Sequence, residues 1–210
     1  MLGDSMLNKK EKSEGWISLF DGKTLDGWGV TGNSECWVVD DGCIFLKAKG
    51  GGYLYTLDQY DDFELSIDFK IEKGANSGVF LRWTDLKDPV QTGIEMQILD
   101  TYGREPVRKN DCGAIYDVMA PTRNSCKPAG EWNDAVIICD GSLIKVELNG
   151  EKIIDMDLSR WTEPGKNPDG TDNKFKQAYK NMINNGYIGL QDHGGKVWFR
   201  NLKLKALKNT

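Results

Sequence analysis

Hydrophobic and polar residues alternate along much of this chain with a period of two. The clearest case is the segment FELSIDFKI at 63–71, in which every second residue is hydrophobic. Because successive strand residues face opposite sides of a sheet, this alternation predicts a strand with one buried and one solvated face. The residues predicted to be buried are Phe63, Leu65, Ile67, Phe69 and Ile71.

Turn sequences divide the chain into many short strands of this kind. Asp40-Asp41-Gly42, Asp140-Gly141 and Asn149-Gly150 are typical of hairpin turns. Strands are predicted at 15–20, 36–39, 43–47, 63–71, 79–83, 94–99, 114–118, 135–139, 143–148, 152–155, 187–190 and 197–204. Only Lys174 to Met182 is predicted to be helical. Many short strands separated by turns predict an all-β sandwich or barrel.

The length of 210 residues suits one sizeable core and is rather short for two. We therefore predict a polar N-terminal tail at 1–14 and a single β-sandwich domain at 15–208. The tail lacks the apolar segment of a signal peptide, so two locations fit: the periplasm or cell envelope after removal of an export signal, or the cytoplasm. No apolar run approaches the ~18 residues of a membrane span.

Charge and cysteine content argue against two further classes of protein. The net charge is −5, and Lys and Arg are not clustered, which argues against a nucleic-acid partner. The five cysteines include no CxxC pair, so a zinc ribbon is not expected. Cys36 and Cys43 flank the first predicted hairpin turn. A bridge between them and separate small core thiols are the two interpretations, and the odd total leaves at least one cysteine unpaired within the chain.

The predicted strand at 94–99 carries the strongest chemical signal. Its residues alternate so that Glu95 and Gln97 share one face, and Asp100 follows the strand. Two acids at this spacing can converge on a sugar ring, where one donates a proton and the other attacks or accepts one. A solvated strand face followed by a turn aspartate is the alternative interpretation.

The only histidine of the chain, His193, follows the predicted strand at 187–190. Histidine is the side chain whose ordinary pKa lies nearest neutrality, which suits proton transfer. A single histidine excludes two-histidine zinc motifs such as HExxH. Gln191 and His193 share a face, whereas Asp192 points the other way. A turn histidine before Gly194-Gly195 is the alternative interpretation.

An arginine and several aromatic residues are candidate sugar contacts. Arg82 lies on an otherwise apolar strand, where alternation places it on the same face as Phe80. A buried guanidinium needs a carboxylate or a ligand oxygen, so a structural ion pair and a substrate contact are both expected possibilities. Sugars stack on aromatic rings. The aromatic candidates near polar residues are Tyr116, Trp83, Trp132 and Trp161.

An ordered set of motifs resembles the 3-keto-disaccharide hydrolase family, formerly described as a domain of unknown function. The resemblance covers about residues 15 to 207, and its motifs occur in the family's order. They are LFDGKTLDGW at 19–28, NSG at 76–78, EMQILD at 95–100, GAIY at 113–116, EWN at 131–133, GLQDHG at 189–194 and VWFRN at 197–201.

The resemblance implies a concanavalin A-like jelly-roll sandwich of two curved antiparallel sheets, with a site on the concave sheet. Glucanases of that fold place glutamate, aspartate and glutamate alternately on one strand. The matching positions here are Glu95, Gln97 and Leu99, with Asp100 just beyond. This departure argues against a retaining mechanism with two carboxylates.

The resemblance implies instead that the protein cleaves 3-keto-glycosides. A ketone at C3 makes the C2 proton acidic, so a base can remove it, the glycosidic oxygen leaves, and water adds to the enone. The implied catalytic residues are Glu95, His193 and Asp100. The implied substrate-binding residues are Arg82, Gln97, Tyr116, Gln191 and Trp132.

The enolate formed in such a reaction needs a nearby positive charge. Arg82 is one expected source, and a divalent metal ion held by Glu95, Asp100 and His193 is the other; the sequence requires no cofactor. The expected partner is an oligosaccharide or glycoside. The alternatives are a non-catalytic carbohydrate-binding module, an ordinary glucanase-like hydrolase and a structural envelope protein.

Overall fold

Short strands make up most of the regular structure in a computed structural model, which describes residues 7–207. The strands are β1 (Trp16–Ser18), β2 (Trp28–Val30), β3 (Trp37–Asp40), β4 (Cys43–Leu46), β5 (Tyr53–Thr56), β6 (Phe63–Ile71), β7 (Asn76–Trp83), β8 (Ile94–Leu99), β9 (Asn133–Asp140), β10 (Leu143–Leu148), β11 (Glu151–Asp157), β12 (Tyr187–Gln191) and β13 (Val197–Ala206). The helices are α1 (Lys9–Ser13) and α2 (Pro89–Thr92), with 3-10 turns at Ser34–Cys36, Leu158–Arg160 and Tyr179–Asn181. Within 7–207, no helix is long and apolar enough to cross a membrane.

The strands form two antiparallel sheets, as predicted. The larger sheet has the order β11-β10-β9-β6-β13-β4-β3, with β1 paired to β13, and the smaller has the order β2-β5-β12-β7-β8. The fold is an all-β, concanavalin A-like jelly-roll sandwich. In the β3–β4 hairpin, Asp41 and Gly42 have φ angles of 47° and 71°, the left-handed conformation that tight hairpin turns require.

The core lies between the two sheets and is built from the inward face of each strand. The five residues of β6 predicted to be buried are 0–5% exposed, which confirms the alternation. Burying a side chain of this size contributes roughly 2 kcal/mol. The smaller sheet adds every second residue of its strands, such as Ile94 and Met96 of β8 and Val79 of β7. Its other face, which we call the pocket face, points away from the core.

A bulge in β7 turns Arg82 away from the face that simple alternation predicts. Arg82 has a left-handed φ of 50°. Opposite it the register with β12 slips, because Tyr187 pairs with Trp83 whereas Gly189 pairs with Phe80. The extra residue brings Phe80 and Trp83 together, with ring centroids 6.2 Å apart. The prediction that Phe80 and Arg82 share a face is therefore wrong.

The segment predicted to be helical, Lys174–Met182, contains only the 3-10 turn Tyr179–Asn181. Its backbone N–H groups bind distant partners instead of forming helical bonds. The Lys176 N–H donates to Gln91 Oε1 at 2.9 Å, and the Lys180 N–H donates to the Trp161 carbonyl at 3.1 Å. Tertiary contacts thus replace the helix that local propensity favours.

The segment predicted as a strand at 114–118 is a short extension of the sheet edge. The Gly113 N–H donates to the Gln97 carbonyl at 2.8 Å, and the Tyr116 N–H donates to the Glu95 carbonyl at 2.9 Å. Left-handed φ angles at Gly113 (82°) and Asp117 (63°) turn the chain before and after it. The extension fixes Tyr116 beside Glu95.

The cysteines are all free and buried. Cys43 pairs with Asp40 at the turn of the β3–β4 hairpin, whereas the Cys36 carbonyl accepts from Lys47 N–H at its open end. The two thiols therefore lie at opposite ends of the hairpin. The interpretation of a bridge between them is wrong, and that of separate core thiols is confirmed.

Candidate active site

A pocket of about 190 Å³ lies on the pocket face of the smaller sheet. Strands β5, β7, β8 and β12 form its floor, and the segments around α2, Tyr116 and Lys174 form its walls. The lining residues are Tyr53, Asn76, Val90, Glu95, Gln97, Tyr116, Lys174, Gln191 and His193. Five residues predicted for the site are brought together here: Glu95, Gln97, Tyr116, Gln191 and His193.

The carboxyl group of Glu95 occupies a space left by a glycine on the neighbouring strand. Gly78 of β7 pairs with Gln97 of β8, next to the pair formed by Phe80 and Glu95. A β-carbon added at Gly78 would overlap Glu95 Oε1. Any other residue at Gly78 would thus displace the carboxyl, so the NSG sequence at 76–78 creates the space for it.

Glu95 is buried without a hydrogen-bond partner. Its side chain is 6% exposed, and no donor in residues 7–207 forms a hydrogen bond with its carboxyl oxygens. Burial disfavours the charged carboxylate and raises the pKa of Glu95 to about 7, and the positive charge of Lys174 opposes part of this rise. A carboxyl with a pKa near 7 is present in both protonation states at neutral pH, as a general acid or base requires.

Lys174 supplies the positive charge of the pocket. Its backbone N–H donates to Asp117 Oδ2 at 2.8 Å, and its carbonyl accepts from Gln91 Nε2 at 3.1 Å. Its ammonium group lies 3.9 Å from the ring centroid of Tyr116, within the range of a cation–π interaction. The backbone contacts and the ring hold the ammonium at the pocket wall.

Two amide side chains extend the polar floor. Gln97 Nε2 donates to Asn76 Oδ1 at 3.1 Å, and Gln191 Nε2 donates to the Tyr53 hydroxyl at 3.2 Å. Gln191 Oε1 is buried with no hydrogen-bond partner in the described part of the chain. A buried unpaired acceptor is costly, so this oxygen is suited to accept a hydrogen bond from a ligand hydroxyl. Burial raises the pKa of Tyr53, which keeps its hydroxyl protonated.

His193 is exposed at the rim of the pocket, in the turn after β12. The preceding residue fixes this turn. Asp192 Oδ2 accepts from the backbone N–H groups of Gly50 and Gly51, both at 2.7 Å, and its Oδ1 accepts from Gly194 N–H at 2.8 Å. As strand alternation predicts, Asp192 points away from the pocket and holds the loop, while Gln191 and His193 line the pocket.

The structure does not bring Arg82 into the pocket. Its guanidinium donates to the carbonyls of Asp61 and Gly141 at 2.7 Å, and to Asp62 Oδ1 at 2.7 Å. It is 1% exposed. Of the two interpretations, the structural ion pair is confirmed. The expected role of Arg82 in substrate binding is corrected, because the side chain is buried against these partners and does not line the pocket. The bulge directs the side chain to these partners.

Asp100 and Trp132 also lie outside the pocket lining. Asp100 Oδ2 accepts from Gly74 N–H at 2.8 Å, because the end of β8 turns it toward that loop. The Trp132 ring is flanked by Arg200 at 3.9 Å and Lys70 at 5.0 Å. The predicted cluster of Glu95, Asp100 and His193 is therefore not assembled. Within 7–207, no group of three or more His, Cys, Asp or Glu side chains is arranged to hold a metal ion.

Sequence analysis missed four pocket residues. Asn76 lies within the NSG motif at 76–78, so the motif is the signal that could have identified it. Tyr53 lies on β5 outside the quoted motifs, and its only signal is an aromatic residue on a short strand. Val90 lies in a segment for which no structure is predicted, and Lys174 begins the segment that is wrongly predicted to be helical. Their positions depend on long-range contacts such as the bond between Gln91 and Lys174, for which the sequence has no local signal.

The fold and the pocket define a β-sandwich with a partly desolvated acid on the open face of its smaller sheet. Residues 15–205 match the 3-keto-alpha-glucoside-1,2-lyase-like domain family, and the chain belongs to this family. It is 30% identical to a 3-keto-disaccharide hydrolase of Bacteroides thetaiotaomicron, over 93% of this chain and 79% of the relative.

Solved structures agree with this assignment. A candidate glycosyl hydrolase from Parabacteroides distasonis has a TM-score of 0.83 and 38% sequence identity, over 91% of this chain and 99% of its own. A Bacillus subtilis protein with a galectin-like fold has a TM-score of 0.55 and 12% identity, over 94% of this chain and 91% of its own. The second likeness shows the fold alone.

Proposed function

We propose that the protein hydrolyses 3-keto-glycosides by removal of the C2 proton, elimination of the glycosidic oxygen and addition of water. The observation that carries the proposal is Glu95, a buried carboxyl without a hydrogen-bond partner and with a pKa of about 7, beside Lys174 and His193. Family membership supports the substrate class. The pocket volume of about 190 Å³ suits a single sugar ring, since pockets for drug-sized ligands are larger.

Glu95 acts as the base in the first step. Its carboxylate takes the C2 proton, and the C–H electron pair forms an enolate with the C3 ketone. An unpaired carboxylate in a desolvated pocket is a stronger base than one in water, which explains why the carboxyl lacks protein donors. The ammonium of Lys174 stabilises the enolate oxygen, the role first assigned to Arg82 or a metal ion.

His193 acts in the second step as the donor to the leaving oxygen. The enolate electrons form the C1–C2 double bond while the C1–O bond breaks, and the leaving oxygen takes a proton. The rim position of His193 suits this role, because the departing group must lie at the mouth of a pocket that holds one ring. Water then adds to C1 of the enone. The proton on the Glu95 carboxyl exchanges with solvent before the carboxyl protonates C2, so the net reaction is hydrolysis with a solvent proton at C2.

Gln191 and Tyr53 orient the ring. Gln191 Oε1 accepts a hydrogen bond from a sugar hydroxyl, and the Tyr53 hydroxyl, held by Gln191 Nε2, donates to a neighbouring oxygen. Gln97 and Asn76 contact the far edge of the ring. The Tyr116 ring faces Lys174 and fixes the distance between that ammonium and the sugar.

The experiment uses a 3-keto-disaccharide and its unoxidised parent, each incubated with the protein in deuterated water. We expect cleavage of the keto compound alone, with solvent deuterium at C2 of the released keto sugar, because the mechanism exchanges this proton. Glu95→Gln should abolish incorporation, and Glu147→Gln, at an exposed position of β10, should not.

Two results would contradict the proposal. Cleavage of the parent sugar, or a product with no deuterium at C2, would indicate an ordinary glycosidase mechanism. Binding of the keto sugar without turnover would indicate a carbohydrate-binding module.

A further inference from the structure

The side chain of Gln91 joins two walls of the pocket. Gln91 lies in α2 next to Val90, and Val90 and Lys174 both line the pocket. The Gln91 Nε2 donates to the Lys174 carbonyl at 3.1 Å, and its Oε1 accepts from the Lys176 N–H at 2.9 Å. One carboxamide thus binds the two backbone groups on either side of Phe175.

The carboxamide is itself held in place, because the backbone of Gln91 is also hydrogen-bonded. Its N–H donates to Asp88 Oδ1 at 3.3 Å, at the start of α2, and its carbonyl accepts from Gln177 Nε2 at 3.5 Å. Within residues 7–207, every hydrogen bond between α2 and the segment 174–177 involves Gln91. Loss of the carboxamide would leave only the longest of these bonds, the one from Gln177.

Lys174 depends on such contacts because packing does not hold it. The residue is exposed, and a lysine side chain loses much rotamer entropy when it is fixed. Its backbone N–H donates to Asp117 Oδ2 at 2.8 Å, and its carbonyl accepts from Gln91. Side chains from two different walls therefore fix the backbone of Lys174, and Gln91 is the contact from α2.

We propose that Gln91 is a positioning residue, which places the ammonium group of Lys174 beside Glu95. Gln91 does not line the pocket, so it acts through the Lys174 backbone. The ammonium lies 3.9 Å from the ring centroid of Tyr116, and the Tyr116 N–H donates to the Glu95 carbonyl at 2.9 Å. A shift of the Lys174 backbone would therefore move the charge relative to Glu95. The consequence for turnover rests on the proposed function, whereas the placement of the charge does not.

The placement has a measurable electrostatic consequence. Burial raises the pKa of Glu95 to about 7, and the positive charge of Lys174 opposes this rise. The titratable groups that line the pocket with Glu95 are Tyr53, Tyr116, Lys174 and His193. A nearby cation stabilises a carboxylate, so moving the ammonium away should raise the pKa of Glu95 further.

The test measures the pKa of Glu95 by carbon NMR of protein with isotope-labelled glutamate carboxyl carbons. The signal that is missing from Glu95→Gln identifies Glu95. Gln91→Met removes both hydrogen bonds of the side chain and keeps its charge and approximate length, so we expect the pKa of Glu95 to rise. Gln177→Met makes the same change on the segment 174–177 and leaves both contacts of the Lys174 backbone, so the pKa should stay unchanged.

Two further measurements separate positioning from a general loss of structure. In a Lys174→Met background, Gln91→Met should raise the pKa of Glu95 no further, because the ammonium is already gone. On a 3-keto-glycoside, Gln91→Met should lower kcat by about 10–100-fold rather than raise KM, because the enolate forms only during reaction. Gln91→Asn, whose carboxamide is one carbon shorter, replaces the methionine variant if that variant does not fold.

Three results would overturn the role of Gln91. They are an unchanged Glu95 pKa in Gln91→Met, an equal rise in Gln177→Met, and a further rise when Gln91→Met is added to Lys174→Met. Failure of the proposed function would give a different result. The wild type would then not cleave the 3-keto-glycoside, while the titration of Glu95 would still respond to Gln91→Met.

Discussion

The face of the larger sheet that points away from the core, which we call the outer face, carries residue types similar to those of the pocket face. The two faces differ in whether their polar side chains are hydrogen-bonded to other side chains. On the outer face, Asp68 Oδ2 accepts from Arg200 at 3.1 Å and from Asn201 at 2.7 Å. On the pocket face, within the described residues, Gln191 Oε1 is buried without a partner, and Glu95 is buried with no hydrogen bond to its carboxyl group. Both faces carry acids, cations and aromatic rings.

The difference shows why residue type alone is a poor guide to the site. Leaving a buried acceptor unpaired costs about 1–3 kcal/mol, so each such group needs an explanation, and use by a ligand or a reaction is one. Asp68 of the outer face is not such a group, since it is paired twice. The pairing of polar atoms, rather than the presence of acids and aromatic rings as such, distinguishes Glu95 and Gln191 from Asp68.

The largest expected effect is on turnover. Glu95→Gln removes the base and keeps the shape of the side chain, so kcat on a 3-keto-glycoside should fall by about 10²–10⁴-fold. Asp68→Asn breaks an ion pair on the outer face and should leave kcat within about twofold. Steady-state kinetics of both purified variants measure this contrast. Equal losses in the two variants would remove the functional distinction between the faces.

A second effect of the same substitution is on stability, with a defined pH dependence. Burial raises the pKa of Glu95 in the folded protein from 4.5 to about 7. Below pH 4.5 the carboxyl is protonated in both states and contributes nothing. Between pH 4.5 and 7 only the folded state keeps the proton, so stability falls as pH rises, by roughly 3 kcal/mol in total.

Glu95→Gln should therefore be more stable than the wild type at pH 8 by up to about 3 kcal/mol and similar to it at pH 4. Thermal or urea unfolding at the two pH values measures the difference. Glu147→Gln, at an exposed position, should follow the wild type at both. A constant difference between Glu95→Gln and the wild type across this range would show that Glu95 is not desolvated in the folded protein.

Strand alternation predicts those parts of the molecule that obey a period of two. It identifies the core face of β6, and it places Glu95 with Gln97 and Gln191 with His193. It fails at Arg82, where the left-handed φ inserts an extra residue into the strand. Parity cannot reveal a bulge that depends on how a distant strand, β12, pairs with β7.

Loop residues are beyond this kind of prediction for a different reason. Lys174 reaches the pocket because side chains far along the chain, Asp117 and Gln91, bind its backbone. Asp100 leaves the site because the loop at Gly74 binds its carboxylate. Each position is set by contacts between segments distant in sequence. Of the residues predicted for the site, Glu95, Gln97, Tyr116, Gln191 and His193 line the pocket, whereas Arg82, Asp100 and Trp132 lie outside it.

The smallest expected effect concerns Trp132, whose aromatic ring suggested a sugar contact. Its ring already packs against Arg200 and Lys70, so Trp132→Leu should lose cation–π contacts worth roughly 1 kcal/mol of stability. It should change kcat/KM by less than about twofold.

Tyr116→Leu, which removes a ring from the pocket wall, should instead raise KM and weaken the hold on Lys174. Kinetics and thermal unfolding of the two variants, measured side by side, test this assignment. A larger rise in KM for the tryptophan variant than for the tyrosine variant would move the sugar-binding surface to the outer face.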